Sequence, residues 1–213
     1  MAIELSILVA TVPSQREGLL SRLLARLEPQ LDDPRVEVIV HEHETKTMGR
    51  KFNELYQAAS GRLSVQVDDD DLVSEDYVAQ VLAVSEGHDF VGYKVDYTEN
   101  GGPATTYEID PLRALTLKPY DPQDYVRHIT PKCPVLTSEA RRHHFSSYFG
   151  ADYTWTQKLV ADGYPFNPVF IDAVLYYYDC WPEHSLGTDF SEWTDQRQVP
   201  VLGYDRERFA WID

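Results

Sequence analysis

Basic residues are scarce in this sequence: 19 Lys and Arg stand against 35 Asp and Glu, giving a formal charge of -16 over 213 residues. That shortage argues against a non-specific grip on nucleic acid or an anionic membrane, since clustered cations hold both by releasing counterions. Only two cysteines are present, Cys133 and Cys180, far apart and in no metal-ligand spacing. They fit a reducing compartment. No apolar run approaches the length that spans a bilayer, and the N-terminus carries neither the basic region nor the small-residue cleavage site of a signal peptide. The expected location is the cytoplasm. There is no internal repeat, and the one low-complexity run is the tetrad Asp68-Asp69-Asp70-Asp71. A chain of this length buries a proper core, and one domain over residues 1–213 is expected.

The tetrad organises the reading. Leu63, Val65 and Val67 form a short alternating apolar run that leads directly into four carboxylates. Four like charges in a row repel one another, so the arrangement calls for a cation or for full solvation. Open α/β sheets place their ligands at the carboxyl ends of buried strands, which favours the cation. Hard oxygen donors of this kind suit Mg²⁺ or Mn²⁺. An acidic surface loop is the plainer alternative.

Upstream, residues 4–12 read as a buried parallel strand ending at Pro13, and Ser14-Gln15-Arg16-Glu17 is a capping-box pattern. Leucines 19, 20, 23, 24, 27 and 31 then recur at helical spacing. Asp32-Asp33-Pro34 breaks the chain before a second strand over residues 36–40, which runs into His41-Glu42-His43-Glu44. Alternate residues on a strand end face opposite ways, so a polar terminus with one ligand-facing carboxylate is expected there rather than a metal site. A helix opening at Gly49-Arg50-Lys51 closes at Ser60-Gly61, and another is expected over residues 75–85 with Ser74 as its cap. Three strand–helix alternations in ninety residues predict a mostly parallel sheet covered on both faces.

Beyond residue 97 the pattern changes. Asn100-Gly101-Gly102-Pro103 is a strong turn signal between two strands, and residues 111–134 are proline-rich and aperiodic. Short helices are expected over residues 138–144 and from Gly150 to Gly163, and two last strands over 169–171 and 174–178. Residues 179–213 read as a loop-rich tail over the core.

Taken in order, these signals resemble glycosyltransferase family 2, nucleotide-sugar-dependent enzymes of the GT-A fold. The likeness rests on Ser6-Ile7-Leu8-Val9-Ala10-Thr11, on Glu37-Val38-Ile39-Val40-His41-Glu42, on Gly49-Arg50-Lys51-Phe52-Asn53 with Ala59-Ser60-Gly61, and on the tetrad as the DXD region. Gly150-Ala151-Asp152 is similar to the family's Gly-Glu-Asp segment, with Ala151 replacing the Glu, and Leu175-Tyr176-Tyr177-Tyr178 before His184-Ser185 is similar to its closing strand and turn. Phe52 stands where the family has Arg, leaving Arg50 and Lys51 as substitutes for a phosphate or base contact.

The resemblance implies a GT-A, Rossmann-like fold with a nucleotide-sugar-binding half (1–97), an acceptor half (98–178) and a tail over the site (179–213). It implies an inverting transfer from a nucleotide-diphosphate sugar, a UDP-sugar being the expected donor, with Mn²⁺ or Mg²⁺ as cofactor. Asp70 and His184 would bind the metal, Asp68 and Asp69 would face ribose, sugar or metal-bound water, and Asp152 would take the acceptor's proton. Thr11 and Glu42 would meet base and ribose. On position alone, Asp152 serves equally as a favourable charge at a helix N-terminus and His184 as an exposed loop residue. Two other classes compete: a nucleotidyltransferase, which wants a glycine-rich basic loop that Val12-Pro13-Ser14-Gln15 does not supply, and a non-catalytic acidic binding module. The acceptor is not identified, and the chain's acidity disfavours a nucleic acid.

Overall fold

The computed structural model describes residues 2–111, 126–127, 130–146, 151–165, 167–180 and 205–212. All seven residues of β1 (Leu5–Thr11) are buried, which requires cover on both faces of the sheet and explains the unbroken apolar run. It pairs in parallel with β2 (Val36–Glu42) on one side and with β3 (Leu63–Gln66) on the other. In this register Thr11 lies beside Glu42 at the carboxyl edge. The Val67 amide still donates to the Leu8 carbonyl at 3.0 Å, so the chain leaves the sheet only as the tetrad begins. Gly61 permits the tight entry into β3, because a Cβ there would lie 2.6 Å from the Ser6 amide nitrogen.

Helix α1 (Pro13–Leu27) begins two residues earlier than the capping-box pattern implied, with Val12 at the N-cap and proline in the first turn. Proline's fixed φ and missing N–H suit that position, which puts Ser14 inside the helix rather than at its cap. Helix α2 (Met48–Ala58) is capped by the Thr47 side chain, which accepts from the Arg50 amide. Helix α3 (Tyr77–Ser85) starts two residues later than expected: Ser74 turns its hydroxyl to Asp76 at 2.8 Å instead of capping. The Val78 amide is satisfied by Gln30 Oε1 at 3.0 Å, from the 3-10 turn after α1.

Among the described residues a ten-stranded sheet results, with the main order β10 (Ala210–Ile212), β2, β1, β3, β8 (Val135–Leu136), β5 (Phe90–Glu99), β6 (Thr105–Ile109) and β7 (Val126–Arg127). Its N-terminal strands are parallel, and mixed pairing follows through β5 (Phe90–Glu99), β6 (Thr105–Ile109), β7 (Val126–Arg127) and β8 (Val135–Leu136). The expected hairpin turn is present, with Asn100 and Gly101 at positive φ. Two short helices, α4 (Thr137–Arg142) and α5 (Ala151–Ala161), follow β8.

Two expectations change. The two last strands are one, β9 (Pro168–Cys180), parallel to β5 and antiparallel to the two-residue β4 (Leu72–Val73). The polar Asp172 that interrupts the apolar run sits beside a register irregularity and pairs with Lys94. The far end of the tail is not loop: after a 3-10 turn at Arg206–Arg208 it forms β10 (Ala210–Ile212), parallel to β2 at the sheet edge. Residues 181–204, which include His184, lie outside the described residues.

Candidate donor site at the carboxyl edge

The tetrad is held from several sides. Arg22 of α1, 2% exposed, donates to the Asp70 carbonyl at 2.7 Å. The Asp71 amide closes a turn onto the Asp68 carbonyl at 3.0 Å. Within that turn the four carboxylates separate.

Asp69 points inward and is 1% exposed, accepting from the Thr11 hydroxyl at 2.6 Å. The Thr11 carbonyl in turn accepts from Lys51 Nζ at 2.5 Å, and Lys51 is fully buried. Three residues expected to touch the nucleotide sugar are thus linked into one chain. Lys51 sits behind Thr11 as a buried cation that fixes the end of β1.

Asp71, also fully buried, is the better-connected carboxylate. Its Oδ2 accepts from Lys132 Nζ at 2.8 Å and from the Tyr176 hydroxyl at 2.6 Å, and its Oδ1 accepts from the Asp179 amide at 3.2 Å. Burial pushes its carboxyl up to about 7, against the pull of Lys132 and with Asp70 and Asp68 adding to the rise. Lys132 also donates to Asp68 and, at 3.1 Å, to Tyr176, and its ammonium lies 4.5 Å from the centre of the Tyr178 ring. Burial works against the lysine's charge, but Asp68 and Asp71 outweigh it and hold its pKa well above the ordinary value.

Carboxylate oxygens of Asp68, Asp70 and Asp71 lie within 4.8 Å of one another. Such a hard-oxygen set fits Mn²⁺ or Mg²⁺. Asp70 belongs to this group, whereas Asp69 is turned away to Thr11.

The other expected residues are spread around this centre. Glu42, at the end of β2, is engaged by Arg206 at 2.8 Å, and the Arg206 guanidinium stacks 3.4 Å over the Trp211 ring. The tail thus reaches the same sheet edge through residues that no sequence pattern had singled out. Asp152 is exposed in the first turn of α5. The Gly-Arg-Lys-Phe-Asn segment holds the chain at Phe145: Asn53 donates to the Phe145 carbonyl at 3.0 Å and accepts from its amide at 2.8 Å. A Cβ on Gly49 would lie 1.8 Å from the Ser146 carbonyl oxygen, so only glycine permits this contact. Phe52, in the position of the family's Arg, packs against Phe145 with ring centres 5.8 Å apart.

Sequence reasoning missed Lys132, Arg22 and Asp71's anchoring role. Lys132 lies in the aperiodic proline-rich stretch and belongs to no motif. Arg22 carried a signal, since it follows Leu19 at helical spacing on the face that Leu23 and Leu27 bury.

Strand order, helix placement and an acidic cluster after the third strand define the GT-A class of α/β fold. No protein-family model matches the sequence, and no curated protein does. Among solved structures the chain is similar to S. aureus TarS 1-349 in complex with UDP-GlcNAc, with TM-score 0.63 and 18% identity, covering 84% of this chain and 59% of that one. It is also similar to glucosyl-3-phosphoglycerate synthase from Mycobacterium tuberculosis in complex with Mn²⁺, UDP and phosphoglyceric acid, with TM-score 0.54, 14% identity and coverage of 87% and 74%. A third is the mannosyltransferase PcManGT from Pyrobaculum calidifontis in complex with GDP-Man and Mn²⁺, with TM-score 0.51, 14% identity and coverage of 83% and 57%. At these identities the likeness establishes the fold. The chain spans 60% of the length of TarS 1-349.

Proposed function

We propose that the protein is a metal-dependent, inverting glycosyltransferase of the family 2 type, moving a sugar from a nucleotide-diphosphate donor to an acceptor hydroxyl. The observation that carries this reading is the Asp68, Asp70 and Asp71 cluster at the carboxyl end of β3 in a GT-A fold. The nucleotides in the structures it resembles support a UDP-sugar as donor. A divalent ion held there supplies the charge that offsets the leaving diphosphate.

The chain's own residues account for the rest. The Thr11–Asp69 link and the buried Lys51 fix the floor on which base and ribose rest. Asp70 serves as direct metal ligand, with His184 as the second ligand the family pattern implies. Asp152 accepts the proton of the acceptor hydroxyl as its oxygen bonds to the anomeric carbon. The bond from that carbon to the diphosphate breaks on the opposite face, and the configuration inverts. The free cysteines, Cys133 and Cys180, support work in a reducing cytoplasm. No helix among the described residues is long and apolar enough to cross a membrane. The net charge of -16 disfavours a nucleic acid acceptor.

A thermal-shift panel of UDP, GDP, TDP and CDP, each with and without Mn²⁺, tests the donor site, since a ligand bound only by the native state raises Tm. Stabilisation by UDP that needs Mn²⁺ and disappears in Asp70→Ala is expected. Stabilisation by metal with no response to any nucleotide would point instead to an acidic binding module. Asp152→Asn should keep the UDP response while transfer falls by about 10²–10⁴-fold; unchanged transfer would remove Asp152 from the chemistry.

A further inference from the structure

Lys132 places a cation where the tetrad needs one. Its ammonium has three N–H donors, and all three have partners: Asp68, Asp71 at 2.8 Å and the Tyr176 hydroxyl at 3.1 Å. The Tyr178 ring adds a fourth contact, 4.5 Å away. The backbone around it is pinned as well. The Tyr93 hydroxyl donates to the Lys132 carbonyl, and the Gln66 amide of β3 donates to the Pro131 carbonyl at 2.8 Å. Lys132 is therefore a positioned group with its side chain only 15% exposed. Two of the three carboxylates that lie close enough to share a metal ion are the two that it holds.

We propose that Lys132 is a built-in counter-cation of the tetrad that competes with the divalent ion for Asp68 and Asp71. The inference rests on the donor-site reading above. Without metal, the ammonium offsets part of the cluster's negative charge and helps four adjacent carboxylates fold beside a buried sheet. When a divalent ion enters, the ammonium yields at least the Asp68 carboxylate. Lys132 thus sets the metal affinity of the site, and it lowers that affinity below what three carboxylates alone would give.

Mn²⁺ binding followed by loss of the free-ion electron paramagnetic resonance signal tests this directly. Lys132→Gln should bind Mn²⁺ at least about tenfold more tightly than wild type, because one competing charge has gone. Equal or weaker binding by the variant, with normal binding by wild type, would overturn the role of Lys132 and leave the donor site standing. Failure of both proteins to bind Mn²⁺ would overturn the donor-site reading and this inference together. A measurement on wild type alone covers a variant that does not fold: acylation of the Lys132 amine, read by mass spectrometry, should speed up several-fold when Mn²⁺ saturates the protein. An unchanged rate in the presence of bound Mn²⁺ would contradict displacement.

Discussion

The two inward carboxylates of the tetrad and the two outward ones differ in burial, although Asp68 shares Lys132 with Asp71. Asp69 and Asp71 are 1% and 0% exposed and spend their oxygens on Thr11, Lys132, Tyr176 and the Asp179 amide. Asp68 keeps 31% of its side chain exposed, and Asp70 is half-buried. Alternate positions of one turn are thus buried anchors and partly exposed carboxylates. The tetrad is a structural device: its buried members hold the turn and leave the other two open to solvent.

That division predicts a ranking. Asp71→Ala leaves the buried Lys132 ammonium, the Tyr176 hydroxyl and the Asp179 amide short of a partner and should cost about 3–5 kcal/mol. Urea denaturation with an unchanged m-value measures it, and a loss under about 1 kcal/mol would show that Asp71 is no anchor. Asp69→Ala removes one buried acceptor, that of the Thr11 hydroxyl, and should cost about 1–3 kcal/mol in the same assay.

Glu54 tests the anchor rule outside the tetrad. Lys46, His41 and Arg50 all donate to it, and these bonds hold its carboxyl down at about 2, against an ordinary value of 4.5. A depressed carboxylate stabilises the fold fully above its unfolded pKa and loses that contribution as pH falls through the folded one. Glu54→Gln should therefore cost about 1 kcal/mol at pH 7, since the side chain is partly exposed. The difference from wild type should shrink below pH 4.5 and vanish near pH 2. A gap that stays constant across that window would mean that charge is not what Glu54 contributes. The smallest effect belongs to Asp70, which Lys132 does not hold: Asp70→Asn should shift stability by no more than about 0.5 kcal/mol, because losing a ligand group also relieves like-charge repulsion.

The sequence makes the first half of the fold readable because β1, β2 and α2 carry full apolar periods, and because a strand ending in four carboxylates has few meanings in an α/β sheet. It could not show β8 or β10, since two and three residues are too few to display a period. It split β9 at Asp172, whose charge is matched across the sheet by Lys94, a partner 78 positions away. Site legibility follows the same line. Thr11, Asp69 and Asp70 lie at strand ends, where position signals role, whereas Lys132 and Arg206 reach the site from segments without periodicity, so only tertiary contact reveals them. Glu42, at the end of β2, accepts from Arg206, which joins the tail to the sheet edge.

The most direct test of the account is calorimetric titration of UDP into wild type and Asp70→Asn, both saturated with Mn²⁺, beside urea melts of the same samples. The account predicts UDP binding weakened at least about tenfold in a variant as stable as wild type, a change of about 1.4 kcal/mol in binding alone. Wild-type UDP affinity in Asp70→Asn would contradict a donor site built on the outward carboxylates.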